Sequence, residues 1–235
     1  MSDLSPFSES IFKRTYAINP QETWRQCAAR VSSAVANNND QYRSFLGPIS
    51  DRVLMPGGRY LYSAGRPKFA NANCFGLIAG DSREAWGQLL SDAVICLSMG
   101  GGIGVEYSDV RAAGTPIKQM GGYASGPVSL MSMVNTVAKH VMMGGQRRSA
   151  LWAGLRWNHP DIDAFINVKD WNADYQEMKR RNFNYDAPLD MTNVSVIIDD
   201  TYLKLLQSGD KSALAMHYRI CDAMARTGEP AFRNQ

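Results

Sequence analysis

Cysteine is scarce in this chain. Four stand in 235 residues, at positions 27, 74, 96 and 221, with no CxxC pair. That spacing excludes the usual zinc arrangements and argues for a reducing compartment. Charge of one sign is scarce too: the net charge of +3 is too small to imply nucleic-acid binding. The basic residues that cluster form only the pair Arg147-Arg148 and the triplet Lys179-Arg180-Arg181, and the triplet reads as a solvated face. No apolar run approaches the ~18 residues of a membrane span. Met1 to Ser10 is polar and acidic, unlike a secretory signal or a transit peptide. No Gly-Lys-Ser or Gly-Lys-Thr occurs, so a P-loop is excluded. Internal repeats, linkers and low-complexity tracts are absent as well. The expectation is a cytoplasmic protein with no nucleic-acid or membrane partner.

What is present is ordinary globular material, 45% hydrophobic and 20% charged. The chain is organised around residues 71–111. Asn73-Cys74 leads into a short apolar run, Phe75 to Ile78, that ends in Gly80-Asp81-Ser82. Asp81-Ser82-Arg83-Glu84 can cap a helix, because a side-chain oxygen there satisfies free backbone N–H groups. Trp86, Leu89, Leu90, Ala93, Val94 and Leu97 recur at helical spacing, and Cys96 lies off that stripe. Gly100 to Gly104 then turns into a second short strand. Strand, helix, strand is the βαβ unit of a parallel α/β sheet, where ligands gather at strand ends. The glycine run fails the Rossmann fingerprint, since Tyr107 stands where the third glycine belongs. On spacing alone it is a tight helix-to-strand turn.

On the N-terminal side, Asn19-Pro20-Gln21-Glu22 reads as a helix start, followed by a stripe of Trp24, Cys27, Ala28, Val31 and Val35. Cys27 is read as a small core residue. Asn37 to Asp40 break that helix, and Pro56-Gly57-Gly58-Arg59 opens an irregular stretch reaching Cys74. Residues 1–50 are assigned to a helical cap and 51–235 to the α/β portion. Beyond the centre, Ser125-Gly126-Pro127 starts a helix with an apolar face of Val128, Met131, Val134, Ala138, Val141 and Met142. Gly144-Gly145-Gln146-Arg147-Arg148 suits anion or base recognition, or else is a glycine C-cap with basic neighbours. Ser149 to Trp157 reads as a strand, and His159-Pro160-Asp161 as a helix start. Thr192 to Ile198 reads as a buried β-branched strand. Helices at about 199–208 and 211–226 follow, stopped by Gly209 and Gly228. His140 and His217 stand alone on helical segments, so no triad can be built from sequence.

Six blocks occur in one order: Pro56-Gly57-Gly58-Arg59, Asn73-Cys74-Phe75, Gly100 to Arg111, Ala124-Ser125-Gly126-Pro127, Gly145 to Ala150, and His159-Pro160-Asp161-Ile162. In these the chain resembles the N-terminal third of a ribonucleotide reductase catalytic chain, most closely the adenosylcobalamin-dependent class II type. The resemblance implies a helical cap followed by the first half of a ten-stranded α/β barrel, a parallel half-barrel. It implies that Cys74 is the first-strand redox cysteine under the substrate ribose, with Asn73, Gly101 and Gly102 lining the substrate. It implies that Asp81, Ser82 and Arg111 bind an allosteric deoxynucleoside triphosphate or ATP. Gly144, Gly145, Gln146, Arg147 and Arg148 correspond to the loop that relays effector identity to the substrate. Adenosylcobalamin is the implied cofactor, held mainly outside this stretch.

The implied partners are a ribonucleotide substrate, a thioredoxin-like reductant, the C-terminal half of the reductase and a second copy of the chain. The family's radical cysteine, active-site Asn and Glu, and disulfide partner lie beyond the matched stretch, so the chain is expected to be inactive alone, as in a split or interrupted reductase. Two rival readings stand beside this one. One is a regulatory nucleotide-binding module without chemistry, and the other is part of a class I large subunit.

Overall fold

The computed structural model describes residues 4–67, 72–118, 121–141 and 150–235. The chain divides into two compact units, 1–73 and 74–235.

The first unit is helical: α1 (Pro6–Thr15), α2 (Trp24–Val35), α3 (Asn39–Ser50) and α4 (Gly58–Ser63). Helix α2 starts later than the Asn19–Glu22 signal predicts. Thr23 caps it, with a reciprocal capping box to Gln26. The reason is Glu22, whose carboxylate is buried against the Arg30 guanidinium at 2.7 Å and accepts the Ile18 N–H. A residue so engaged holds a turn instead of a first helical turn. Burial pushes the Glu22 carboxyl up, but hydrogen bonds from Arg30 and Ile18 and the charges of Arg30 and Arg66 outweigh it and hold it below its usual range.

The break at Asn37–Asp40 is real, yet Asn38 caps a new helix there, accepting from the Gln41 N–H. The stretch opening at Pro56 contains α4, where the sequence predicts only loop. Cys27 is fully buried among Phe12, Ala28, Val31, Ile49 and Leu61, as predicted. Burial pushes its thiol up to about 11.

The second unit is a five-stranded sheet of β1 (Cys74–Ile78), β2 (Gly102–Glu106), β3 (Leu151–Arg156), β4 (Thr192–Ile198) and β5 (Ala231–Asn234). The strands lie in chain order and every pair is parallel. Parallel neighbours need crossovers, and the chain supplies helices between all of them. Helix α5 (Arg83–Ser98) joins β1 to β2, and α6 (Gly126–His140) joins β2 to β3. Then α7 (Ile162–Ile166) and α8 (Ala173–Arg181) precede β4, while α9 (Asp200–Gln207) and α10 (Lys211–Thr227) precede β5. This is the open α/β half-barrel expected from the resemblance.

The core lies between the sheet and α5, α6, α7 and α10, built on Ile103, Val105, Leu151, Leu155, Val194 and Val196. Along α5 the stripe needs correction. Cys96 is buried with Leu89, Ala93 and Leu97, whereas Val94 is exposed. Along α6, Leu130 and Asn135 join Met131, Val134 and Ala138 inside. Strand β5 is unforeseen, being four residues with only Phe232 half-buried. Gly228 ends α10 in the left-handed conformation, as its sequence position predicts.

Candidate functional site

Two constellations occupy opposite ends of the β1–α5–β2 unit. At the start of the strands Cys74 is the first residue of β1 and Gly102 the first of β2, and the two are partners in the parallel register. Cys74 is a free, exposed thiol. Its neighbour Asn73 accepts a hydrogen bond from Arg59 Nε through Oδ1 at 2.8 Å.

The glycines here are sterically required. Gly100 has φ +82°, and a Cβ on Gly101 would lie 2.4 Å from the Phe75 ring and 3.2 Å from the Cys96 carbonyl. The backbone N–H groups of Gly100 and Gly101 donate to the carbonyls of Leu97 and Cys96, closing α5. The tight-turn reading is thus what the chain adopts, and the same turn brings glycine backbone alongside the thiol. Substrate-lining candidates Gly101 and Gly102 lie together with Cys74.

At the far end of the same strands Asp81 and Arg111 are clasped. Arg111 donates through its backbone N–H to Asp81 Oδ1 (3.0 Å), through Nε to Oδ2 (2.8 Å) and through a terminal nitrogen to the Asp81 carbonyl (3.3 Å). Asp81 is therefore not the helix cap. Ser82 caps α5, its Oγ accepting from the Ala85 N–H at 3.0 Å. All three effector candidates meet at one strand end, with the carboxylate and guanidinium both partly exposed.

The turn that presents Arg111 is pinned by the His-Pro-Asp block. His159 is buried, its Nδ1 accepts from the Asp161 N–H, and Nε2 therefore donates to the Val110 carbonyl at 2.9 Å. Asp161 Oδ2 accepts from the Ala113 N–H. His159 is a structural clasp beside the helix start that the sequence predicts at this block. Beside it Arg156 pairs with Glu106 (2.9 Å) and Asp109 (3.4 Å). The sequence does not reveal this trio because Arg156, at the end of β3, is about fifty residues from Glu106 at the end of β2 and Asp109 in the turn after it.

Gly144, Gly145, Gln146, Arg147 and Arg148 lie outside the described residues, but the helix leading to them is firmly tied. Asn135 Oδ1 accepts from the Met191 N–H and the Thr192 hydroxyl. Asp190 takes Lys179 (2.7 Å) and Lys139 (2.9 Å). Burial pushes the Asp190 carboxyl up, yet hydrogen bonds from Lys179, Lys139 and Asn135 hold it below the usual range. Lys179 thus departs from the solvated triplet, its side chain 17% exposed against 75% for Arg180 and 71% for Arg181.

Residues 72–232 match the barrel domain of ribonucleotide reductase. A vitamin B12-dependent ribonucleoside-diphosphate reductase of Mycobacterium tuberculosis is 33% identical over 197 residues, which is 80% of this chain and 27% of that protein. One of Thermoplasma acidophilum is 26% identical over 212 residues, 88% of this chain and 26% of that protein. The large subunit of vaccinia virus ribonucleoside-diphosphate reductase is 31% identical over 57% of this chain. Among solved structures, the Actinobacillus ureae class Id ribonucleotide reductase alpha subunit superposes with TM-score 0.78 over 97% of this chain and 40% of that one, at 16% identity, a likeness of fold. The chain spans about a quarter of the length of the B12-dependent diphosphate reductases it matches. With its barrel pattern matched over more than half its length, on a parallel half-barrel of that fold, the chain belongs to the ribonucleotide reductase family.

Proposed function

We propose that the chain supplies the first barrel half of a ribonucleotide reductase of the adenosylcobalamin-dependent type, reducing ribonucleoside di- or triphosphates to deoxyribonucleotides. The names of the B12-dependent relatives support the type. The observation that carries the reading is the free thiol of Cys74, exposed at the strand start in register with Gly102.

In this reading a thiyl radical elsewhere in the enzyme removes the 3′ hydrogen of the ribose. Cys74, standing below the ring, gives its proton to the departing 2′ hydroxyl, which leaves as water. Cys74 and a second cysteine then supply two electrons and end as a disulfide, which a thioredoxin-like protein reduces. Such a role needs a thiol with open access to the substrate, which the exposed Cys74 has. Asn73, Gly101 and Gly102 line the ribose, where the lack of side chains lets the substrate approach the backbone. Adenosylcobalamin, when bound, supplies the initiating radical. The described residues gather no group of three or more His, Cys, Asp or Glu side chains able to hold a metal, and none is assigned to the corrin.

Asp81, Ser82 and Arg111 form the effector site for a deoxynucleoside triphosphate or ATP, and Gly144 to Arg148 relay its identity. A second copy of the chain packs on α5 and α6, whose exposed Ile95 and Met133 are apolar positions that call for cover. No helix among the described residues is long and apolar enough to cross a membrane.

The test is reconstitution. The 235-residue chain alone makes no deoxyribonucleotide, and turnover appears only when the remaining length of the family's catalytic chain is added with adenosylcobalamin and a dithiol. Turnover by the chain alone overturns the reading. Light scattering of the reconstituted enzyme is expected to show a two-fold dimer that charged substitutions at Ile95 and Met133 split.

A further inference from the structure

His217 and Cys221, which the sequence leaves isolated, belong to one cluster. They lie a single turn apart on α10, with Cys221 Sγ 3.6 Å from His217 Nε2. The other ring nitrogen, Nδ1, is 3.3 Å from the hydroxyl of Tyr202 on α9. Tyr202 is fully buried and packed against Trp157 at 5.3 Å. The imidazole itself stacks on Phe232 of β5, with centroids 5.2 Å apart and planes at 18°. The ring is therefore held in plane on one side and at its edge by a buried phenol, with Nε2 aimed at sulfur. Burial, with the neighbouring Cys221 charge adding to it, pushes the Tyr202 phenol up to about 12, so it stays neutral and can accept from Nδ1–H.

A nucleophile, a base within reach and a third group orienting the base is the arrangement that activates a thiol. None of these residues lies in either constellation of the β1–α5–β2 unit. We propose that Cys221 is a base-assisted thiol that exchanges with small disulfides, with His217 as its base and Tyr202 as the positioning residue. In the step, Nε2 takes the Cys221 proton and the thiolate attacks one sulfur of the disulfide. A bond forms between Sγ and that sulfur while the original S–S bond breaks. The second half leaves as a thiolate, having taken the electron pair of the broken bond, and the imidazolium returns the proton to it or to water. Cys221 is oxidised to a mixed disulfide and the leaving half is reduced.

The experiment uses the full chain and 5,5′-dithiobis(2-nitrobenzoate) at neutral pH, with labelled peptides quantified by mass spectrometry over time. Exposure alone favours Cys74, which is exposed while Cys221 is half-buried. A positioned base reverses the order, and Cys221 is expected to label about tenfold faster than Cys74. His217→Gln and Tyr202→Phe should each slow Cys221 several-fold or more and leave the Cys74 rate unchanged. Cys74 labelling ahead of Cys221 in the wild type, or no change at Cys221 in an intact His217→Gln chain, overturns the proposal. Labelling of fully buried Cys27 in a variant marks lost packing, and the wild-type order then decides alone.

Discussion

The two ends of strands β1 and β2 are built on opposite plans. At the start, Cys74 is a free, exposed thiol side by side with Gly102 in the parallel register. At the finish, Asp81 and Arg111 hold each other through three hydrogen bonds while Ser82 caps α5. One end keeps a reactive group open; the other keeps charged groups prearranged and already satisfied. Under the proposed function the contrast fits a division of labour. A thiol that must meet a substrate loses by having partners, whereas ligand-binding charges gain from being held in geometry before the ligand arrives.

Removing the thiol breaks this comparison most completely. In the reconstituted enzyme Cys74→Ser should abolish turnover while nucleotide binding stays within about twofold, since serine is a far weaker acid and cannot store electrons as a disulfide. Sustained turnover with a dithiol would refute the role.

Asp81→Ala comes next. Loss of a charge-assisted contact that positions Arg111 should cost roughly 1.5–3 kcal/mol of effector affinity, about 10- to 150-fold by calorimetric titration. Chain stability should fall by under about 1 kcal/mol, because the pair is partly exposed. Unchanged effector affinity would leave Asp81 as no more than a clasp for the Arg111 turn.

Gly101→Ala sharpens the other end. Its Cβ would meet the Phe75 ring and the Cys96 carbonyl, so denaturant unfolding should show a loss of roughly 1–3 kcal/mol. A stability equal to the wild type would mean that the turn has slack.

Ser82→Ala has the smallest expected effect. Loss of the cap should cost about 1 kcal/mol of stability. An additional fall in effector affinity would assign Ser82 a ligand contact besides the cap, and unchanged affinity would leave it a cap alone.

Legibility in the sequence followed the range of the interactions concerned. That the Cys74 and Gly102 strands are parallel neighbours was implicit in the strand–helix–strand pattern, because a crossover helix leads to a parallel strand, whereas the pairing of Cys74 with Gly102 itself was not. Glycine stops at 209 and 228 were readable because a positive φ is a local demand. The helix start at Thr23 was misread for the opposite reason. Glu22 looks like a first-turn acid until Arg30, eight residues on, claims its carboxylate. Likewise Lys179 looked solvated because Asp190 is brought to it only by the return of the chain toward β4.

By itself the sequence determined the strands β1 to β4, the helices α5, α6, α9 and α10 between or after them, the burial of Cys27, and the six blocks that mark the family. These depend on spacing and composition along a few turns of chain. Only the tertiary structure decided that Asp81 reaches Arg111 while Ser82 does the capping, that Cys96 is inside, and that His159 clasps Val110. It also decided that Tyr202, His217 and Cys221 meet. Each of these is a directional contact a few ångströms long, and whether it forms depends on where packing sets the backbone across a sheet or between helices.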